Sequence, residues 1–509
     1  MYAEINGIGL FGMNTFPVSV EVEVSKGLER LEIVGLADAA VKESRERICS
    51  AFRSSGIRFP TGKVVVNLAP ADVKKSGSSH DLSIAVSVLA ATGQFNPAEV
   101  ADAAFIGELS LSGELRPVNG VLPMAIKARE LGLKRLFVPL ENAFEASVTD
   151  GLEVYAIKSL KELHGYLTGG LCLEKKERYI PNEEEQQFQP DFADVMGQQF
   201  AKKALEVAAC GGHNLIMIGS PGSGKSMLAK RLPSILPKMT FEESIETTNI
   251  YSIAGMLDKS SPLVTIRPFR SPHHTVSSAG LVGGGSIPNP GEISLAHNGV
   301  LFLDELAEFD RSVLEILRQP LEDGKVTISR ASGTVTYPCS FMLVAAMNPC
   351  PCGYYGHPRK KCSCTKRQVA QYLSRISGPL LDRFDLHIEV APVEYSSLSS
   401  ARKEEPSSAI RERVQRAREI QLRRFKGTGI TCNAGITPEL LHEVCPLTDE
   451  ANNTLSSVFD KLGLSARAYG RILKVARTIA DMDGSDVIDH RHVAQAVRYR
   501  SLDRNYQER

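Results

Sequence analysis

The sequence lacks most of the biases that would classify it at once. There is no excess of charge of either sign: 59 Lys and Arg meet 59 Asp and Glu, for a formal net charge of zero. Binding to a polyanion through bulk charge is therefore excluded, and a nucleic-acid role would need basic residues gathered locally. Tryptophan is absent, which excludes nothing. Cysteine is scarce, ten in 509 residues, too dilute for a disulfide scaffold. No apolar run approaches the length of a membrane span, and the opening residues show no signal-peptide pattern, because charges and glycine arrive early. Internal repeats and low-complexity tracts are also missing. What remains is 43% hydrophobic and 23% charged, enough to bury large cores and to exclude wholesale disorder. At about 150 residues per unit, the length predicts roughly three folding units. The expectation is a soluble, reduced, cytoplasmic α/β multidomain chain with no membrane partner.

Val18, Val20, Val22 and Val24 alternate with Glu21 and Glu23, as in a half-buried strand. After a Ser25-Lys26-Gly27 turn, Leu31–Ile33 returns as a second strand. A helix over 38–54 follows, then strands at 64–68, 104–109, 136–138 and 154–157, separated by helices near 81–92, 122–132 and 159–167. These make an α/β domain over 1–168. Residues 169–189 are so polar that they cannot offset their own ordering entropy, and they read as a linker. A second α/β block spans 190–393, and a mostly helical region spans 394–509.

The strongest signal is Gly219-Ser220-Pro221-Gly222-Ser223-Gly224-Lys225-Ser226, between the apolar run 215–218 and a helical stretch. That is the strand–loop–helix setting of a phosphate-binding loop. Its glycines let backbone N–H groups turn towards phosphate oxygens, and the following helix adds its dipole. Lys225 is expected on the β- and γ-phosphates of ATP and Ser226 on Mg2+. About 80 residues on, the strand 299–303 ends in Asp304-Glu305. Asp304 is expected to hold the magnesium, and Glu305 to orient and deprotonate the attacking water. Asn348 ends a further apolar strand and is expected beside that water. Arg383, in Leu380-Leu381-Asp382-Arg383-Phe384-Asp385, has the character of a finger supplied across a subunit boundary. Arg467 opens a helix of the last region and is expected to reach the γ-phosphate within its own subunit, with Arg471 as rival. A finger acting in trans requires an oligomer, best a closed ring.

Together these motifs resemble an AAA+ ATPase of the clade containing magnesium chelatase and the minichromosome-maintenance helicases. Three further stretches, 36–44, Phe269-Arg270-Ser271-Pro272-His273-His274-Thr275 and 376–383, resemble the YifB/ComM family, which includes a branch-migration helicase of natural transformation. The resemblance covers nearly the whole chain apart from the linker. It implies a hexameric motor on single-stranded or branched DNA, with an AAA+ core and a C-terminal helical lid. The rival reading is a chelatase-like ATPase remodelling a protein partner.

Between the phosphate loop and Asp304 lies a long Gly- and Pro-rich insertion containing Arg270 and His273-His274, which reads as a mobile loop; in the related clade this position faces the ring's pore. The stretch 325–336 alternates around a polar turn, giving a hairpin with Arg330 near its tip. Arg270, Lys325 and Arg330 are the candidates for phosphate-backbone contacts. The histidine pair has no third ligand nearby and reads as structural or pore-facing. The Arg-rich stretch 410–426 reads as an exposed amphipathic helix, with a second DNA contact as the alternative.

Cys350, Cys352, Cys362 and Cys364 form two C-x-C pairs in a Gly- and Pro-rich loop. Four thiolates can close a tetrahedron around structural Zn2+, with His357 as a substitute ligand. Free thiols are the alternative, and a disulfide is disfavoured in the cytoplasm. Arg359, Lys360, Lys361, Lys366 and Arg367 make this knuckle basic.

The first domain resembles the Lon protease domain. The stretch 107–122 tracks the Lon segment ending in the catalytic lysine, and Leu122 occupies that position; Ser79 stands where the nucleophile would. A hydroxyl without a base is not activated, so peptidase activity is not expected unless Lys127 replaces the lost amine.

Overall fold

The computed structural model describes residues 1–36, 38–181, 190–258, 260–285, 288–331, 333–392, 404–462 and 465–500. The second half of the expected linker, the expected 393/394 boundary, Ala37, Ser332 and Leu464 lie outside the described residues.

The N-terminal part is built on an eight-stranded sheet. Its order is Lys175–Lys176, Glu153–Ile157, Arg135–Pro139, Ala103–Phe105, Tyr2–Phe11, Asn14–Ser25, Lys63–Ala69, Arg30–Val34. The valine alternation works as the period-2 pattern requires, with Val18, Val20 and Val22 fully buried and Glu23 exposed. Arg30–Val34 does not fold back on its predecessor. It pairs in parallel with Lys63–Ala69 at the sheet edge, after a crossover through the helix Ala39–Ser54 capped by Asp38. Tyr2–Phe11, absent from the sequence reading, pairs antiparallel with Asn14–Ser25. Gly7 and Gly9 interrupt its apolar pattern; a Cβ at Gly9 would fall 2.4 Å from the Phe16 ring, which would have to move. Part of the polar 169–189 segment is also held, because Lys175–Lys176 adds an edge strand against Glu153–Ile157.

The central part carries a five-stranded parallel sheet in the order Phe269–Arg270, Val300–Leu303, Met342–Met347, Leu215–Ile218, Leu386–Glu389. Its strands are buried almost throughout, as expected for a parallel sheet covered on both faces. The first strand of the order belongs to the insertion that the sequence presented as mobile. Its arginines tie it down: Arg267 donates to the carbonyls of Pro237 and Asn298 and to Glu243, and Arg270 is held by both carboxylate oxygens of Glu292, each at 2.7 Å.

The C-terminal helices Ser407–Arg424, Asp449–Leu462, Ala466–Met482 and His490–Arg498 share one core with the helix Gln199–Gly211 that precedes the phosphate-loop strand. The Arg-rich helix is not simply a solvated face. Arg413 pairs with Glu206 at 2.7 Å, buried Arg418 donates to the Ala209 carbonyl, and Arg424 binds Asp481 and Asn433. These arginines staple the helical region to itself and to the central part of the chain.

The N-terminal domain docks on the central part of the chain through buried contacts. Glu145 accepts hydrogen bonds from the Leu122 backbone N–H (2.9 Å), the Asn142 amide and the Ser252 hydroxyl, and the Gly120 N–H donates to the Ser252 carbonyl (3.1 Å). Leu122 packs with Val148 and Leu263. Burial pushes the Glu145 carboxyl above the usual carboxylate range. A carboxyl raised on folding stabilises fully below its unfolded pKa of about 4.3, and that contribution fades as pH rises through the folded value. The contribution of this one group is therefore expected to decline as pH rises above about 4, and Glu145→Gln is expected to remove that component of the pH dependence. Thermal unfolding at a series of pH values checks it; an unaltered slope in the variant contradicts the assignment.

Candidate nucleotide site

The strand Leu215–Ile218 runs straight into the phosphate loop. Gly222 and Gly224 adopt φ of 77° and 92°, backbone that L side chains rarely take. Lys225 Nζ is held by the carbonyls of Gly219 (2.7 Å) and Ser220 (3.0 Å) and by Asn348 Oδ1 (3.3 Å). Burial lowers the Lys225 pKa, and Asp304 and Glu305 oppose that shift. The Ser226 hydroxyl donates to Asp304 Oδ2 at 2.6 Å, joining the two groups expected on magnesium. Lys225, Ser226, Asp304, Glu305 and Asn348 thus come together at the C-terminal edge of one parallel sheet, where such sheets bind ligands. The site fits a magnesium-bound triphosphate on its own evidence: the Ser223 hydroxyl is buried in the loop with no hydrogen-bond partner, and a buried cation and an oxygen pair for a hard divalent ion lie beside it.

Glu305 is exposed and has φ of 52°, one of four non-glycine positive φ values among the described residues. Strain of this kind collects at functional sites. Its carboxylate lies 3.6 Å from His274 Nδ1, and the His274 ring sits 4.0 Å from that of His273. The histidine pair therefore faces the expected water-activating residue. Sequence reasoning gave the pair a structural or pore-facing role, since no spacing links 274 to 305.

The two arginines lie elsewhere. Asn214, just before the phosphate-loop strand, donates to the Arg383 carbonyl and accepts from the Asp385 N–H. Arg383 is therefore at the N-terminal edge of the sheet, separated from the loop by a four-residue strand, a span of about 13 Å. It is bonded to Glu322, its Nε is buried without a partner, and burial lowers its pKa, assisted by the charges of Arg467 and Arg318. Arg471 reaches Asp385 at 3.6 Å. Arg467 is exposed and close enough for its charge to act on Arg383, which groups it with Arg383 rather than with the contacts of Lys225. Which side of the sheet a helix of the last region meets depends on non-local packing, which motif spacing does not encode.

Among the DNA candidates, Arg270 is consumed by Glu292, whereas Lys325 and Arg330 are exposed on the antiparallel hairpin Lys325–Arg330/Gly333–Pro338. That hairpin is also met by the N-terminal domain: a Cβ at Gly333 would contact Phe11, and one at Gly12 would contact Val335.

Cys350, Cys352, Cys362 and Cys364 bring their sulfurs within 4.8 Å of one another, with three separations of 3.4, 3.7 and 3.5 Å. A tetrahedral ion with metal–sulfur bonds of about 2.3 Å needs edges of about 3.8 Å, so the cluster fits zinc. His357 is not needed: its Nδ1 accepts the backbone N–H groups of Arg359 and Lys360.

In the N-terminal domain the Ser78 hydroxyl is bound to Glu108, Lys127 pairs with Glu130, and the fully buried Leu122 side chain stands where the resemblance would place an amine.

Comparison with known proteins places the chain in a family. Three family descriptions match in succession: "Subunit ChlI of Mg-chelatase" over residues 20–142, "Magnesium chelatase, subunit ChlI" over 191–398, and "Magnesium chelatase, subunit ChlI C-terminal" over 404–500. The YifB protein of Escherichia coli (strain K12) is 43% identical over 495 residues, 97% of this chain and 96% of that one. The competence protein ComM of Haemophilus influenzae is 43% identical over 496 residues, 96% of each. The chain belongs to the YifB/ComM magnesium-chelatase-like family. Its AAA+ core is the part that holds ATP and Mg2+ in that family. Lon protease 2 of Bacillus subtilis is 24% identical over 177 residues, 31% of this chain, a partial similarity. No helix among the described residues is long and apolar enough to cross a membrane.

Proposed function

We propose that this family member is an ATP-driven ring motor, best a hexamer, that translocates on single-stranded or branched DNA and promotes branch migration in recombination or transformation. The observation carrying this reading is the separation of the catalytic set between two edges of one sheet. Lys225, Ser226, Asp304, Glu305 and Asn348 stand at one edge, and Arg383 with Arg467 at the other. A neighbour's arginines complete the set, so hydrolysis is coupled to subunit contact. Magnesium, when bound, neutralises charge developing on the transferred phosphoryl group. Lys225 grips the phosphates, and Glu305 takes the proton from the attacking water. Zinc holds the cysteine knuckle, and a reduced cytoplasmic setting keeps its thiols available.

The competence name of the H. influenzae relative supports the DNA reading. The chelatase descriptions support the alternative, an ATPase that remodels a protein partner. ATP turnover with and without forked or single-stranded DNA separates the two. Strong stimulation, lost in Lys225→Ala, supports the motor; indifference to every DNA form supports the alternative. For the contact itself, removing Lys325 and Arg330 together is expected to weaken DNA binding about equally across sequences and to reduce its salt slope by about two. Titrations at several salt concentrations check this.

A further inference from the structure

From Pro349 to Thr365 the chain forms no helix or strand; besides its cysteines the loop is held by the His357 ring, which accepts the Arg359 and Lys360 N–H groups, and by Lys360 over the Tyr354 ring, local contacts that do not tie its two ends together. Its position is not peripheral. It starts directly after Asn348, whose side chain holds Lys225. Cys350 is fully buried in one apolar cluster with Ile218 and Leu303, the last residues of the strands that deliver the phosphate loop and Asp304. The turn at Gly353 is closed by its N–H donating to the Cys350 carbonyl at 2.9 Å, with φ of 81°. A Cβ on Gly353 would lie 2.5 Å from Cδ and 2.6 Å from Cγ of Pro221, with Asn348 Cγ at 3.8 Å. The cysteine turn is thus seated on the phosphate loop itself, between the residues that flank the triphosphate position.

We propose that a thiophilic divalent ion held by Cys350, Cys352, Cys362 and Cys364 braces the phosphate loop through the Gly353–Pro221 contact, so that metal occupancy sets nucleotide affinity. This rests on the zinc reading above. The ion joins two C-x-C pairs separated by nine residues and cross-links a segment that no helix or strand holds. With the ion in place, Gly353 limits the excursions of Pro221 and keeps the loop N–H groups preorganised for phosphate. Without it, the cost of ordering the loop is transferred to nucleotide binding. The effect is on affinity, before any chemical step, which separates it from a role in turnover.

The experiment uses the full chain and a fluorescent ATP analogue in equilibrium titration, with metal content measured on the same samples. About one zinc per chain is expected; chelation is expected to weaken nucleotide binding at least tenfold, and zinc added back to restore it. Metal present but affinity unchanged by its removal overturns the brace alone, whereas no metal in protein purified without chelator overturns the zinc reading beneath it. Gly353→Ala decides the case independently of whether the metal-free chain keeps its fold, because it retains all four thiols while pressing a Cβ on Pro221. Severalfold weaker nucleotide binding at unchanged metal content is the expected result. Unchanged affinity in that variant overturns the proposal.

Discussion

Glu305→Gln is expected to bind ATP close to normally and to hydrolyse it at least about 10²-fold more slowly, the range lost when a general base is removed. The replacement keeps the size and shape of the side chain and leaves Lys225, Ser226 and Asp304 in contact as they are. Binding should therefore survive, since the grip on the phosphates comes from the loop. What is lost is the ability to accept a proton from water. The exposed position of Glu305 and its left-handed backbone fit a group set apart for that purpose. Paired measurements of nucleotide binding and single-site turnover test the split. Equal loss of both would mean that Glu305 supports the loop, and no loss of turnover would remove it from the chemistry.

A larger effect is expected at Arg383. Alone, Arg383→Ala should bind ATP and lose about 10³-fold in turnover, the lower end of the range for an arginine finger. Mixed with Glu305→Gln in equal amounts, it should regain activity, because about a quarter of the interfaces in a randomly mixed ring would pair an intact Glu305 with an intact Arg383 from the neighbour. This outcome follows from the proposed shared site: the Arg383 guanidinium is bonded to Glu322, and its backbone lies at the opposite end of a four-residue strand from the phosphate loop, about 13 Å away. A mixture as inactive as its parts, or a wild-type chain that stays monomeric with saturating nucleotide, would sink the shared-site reading.

The nucleotide site was legible in the sequence because its constraints are contiguous. Eight residues from Gly219 to Ser226 must follow one another to wrap a phosphate, and Asp304-Glu305 must end a strand. The opening strand was not legible, since Gly7 and Gly9 break its pattern for reasons lying on a neighbouring strand and helix. Nor were the partners of the arginine-rich helix: Arg413 finds Glu206, and Arg418 finds Ala209, about two hundred positions away in the chain. The same distance hides the placement of Arg467. The four cysteines announced their cluster by spacing, but nothing in that spacing pointed to Pro221. Charge runs and loop composition therefore reveal that a residue is polar or turning, and only packing reveals whether its capacity is already engaged.

The seat of Leu122 is poorly suited to present an amine to Ser79. A lysine restored at that position would enter an apolar seam shared with Leu263, beside the buried carboxylate of Glu145. An ammonium there has a ready counter-ion and would be drawn to it, away from Ser79. The contact that joins the two domains therefore occupies the position at which the Lon resemblance would place an amine.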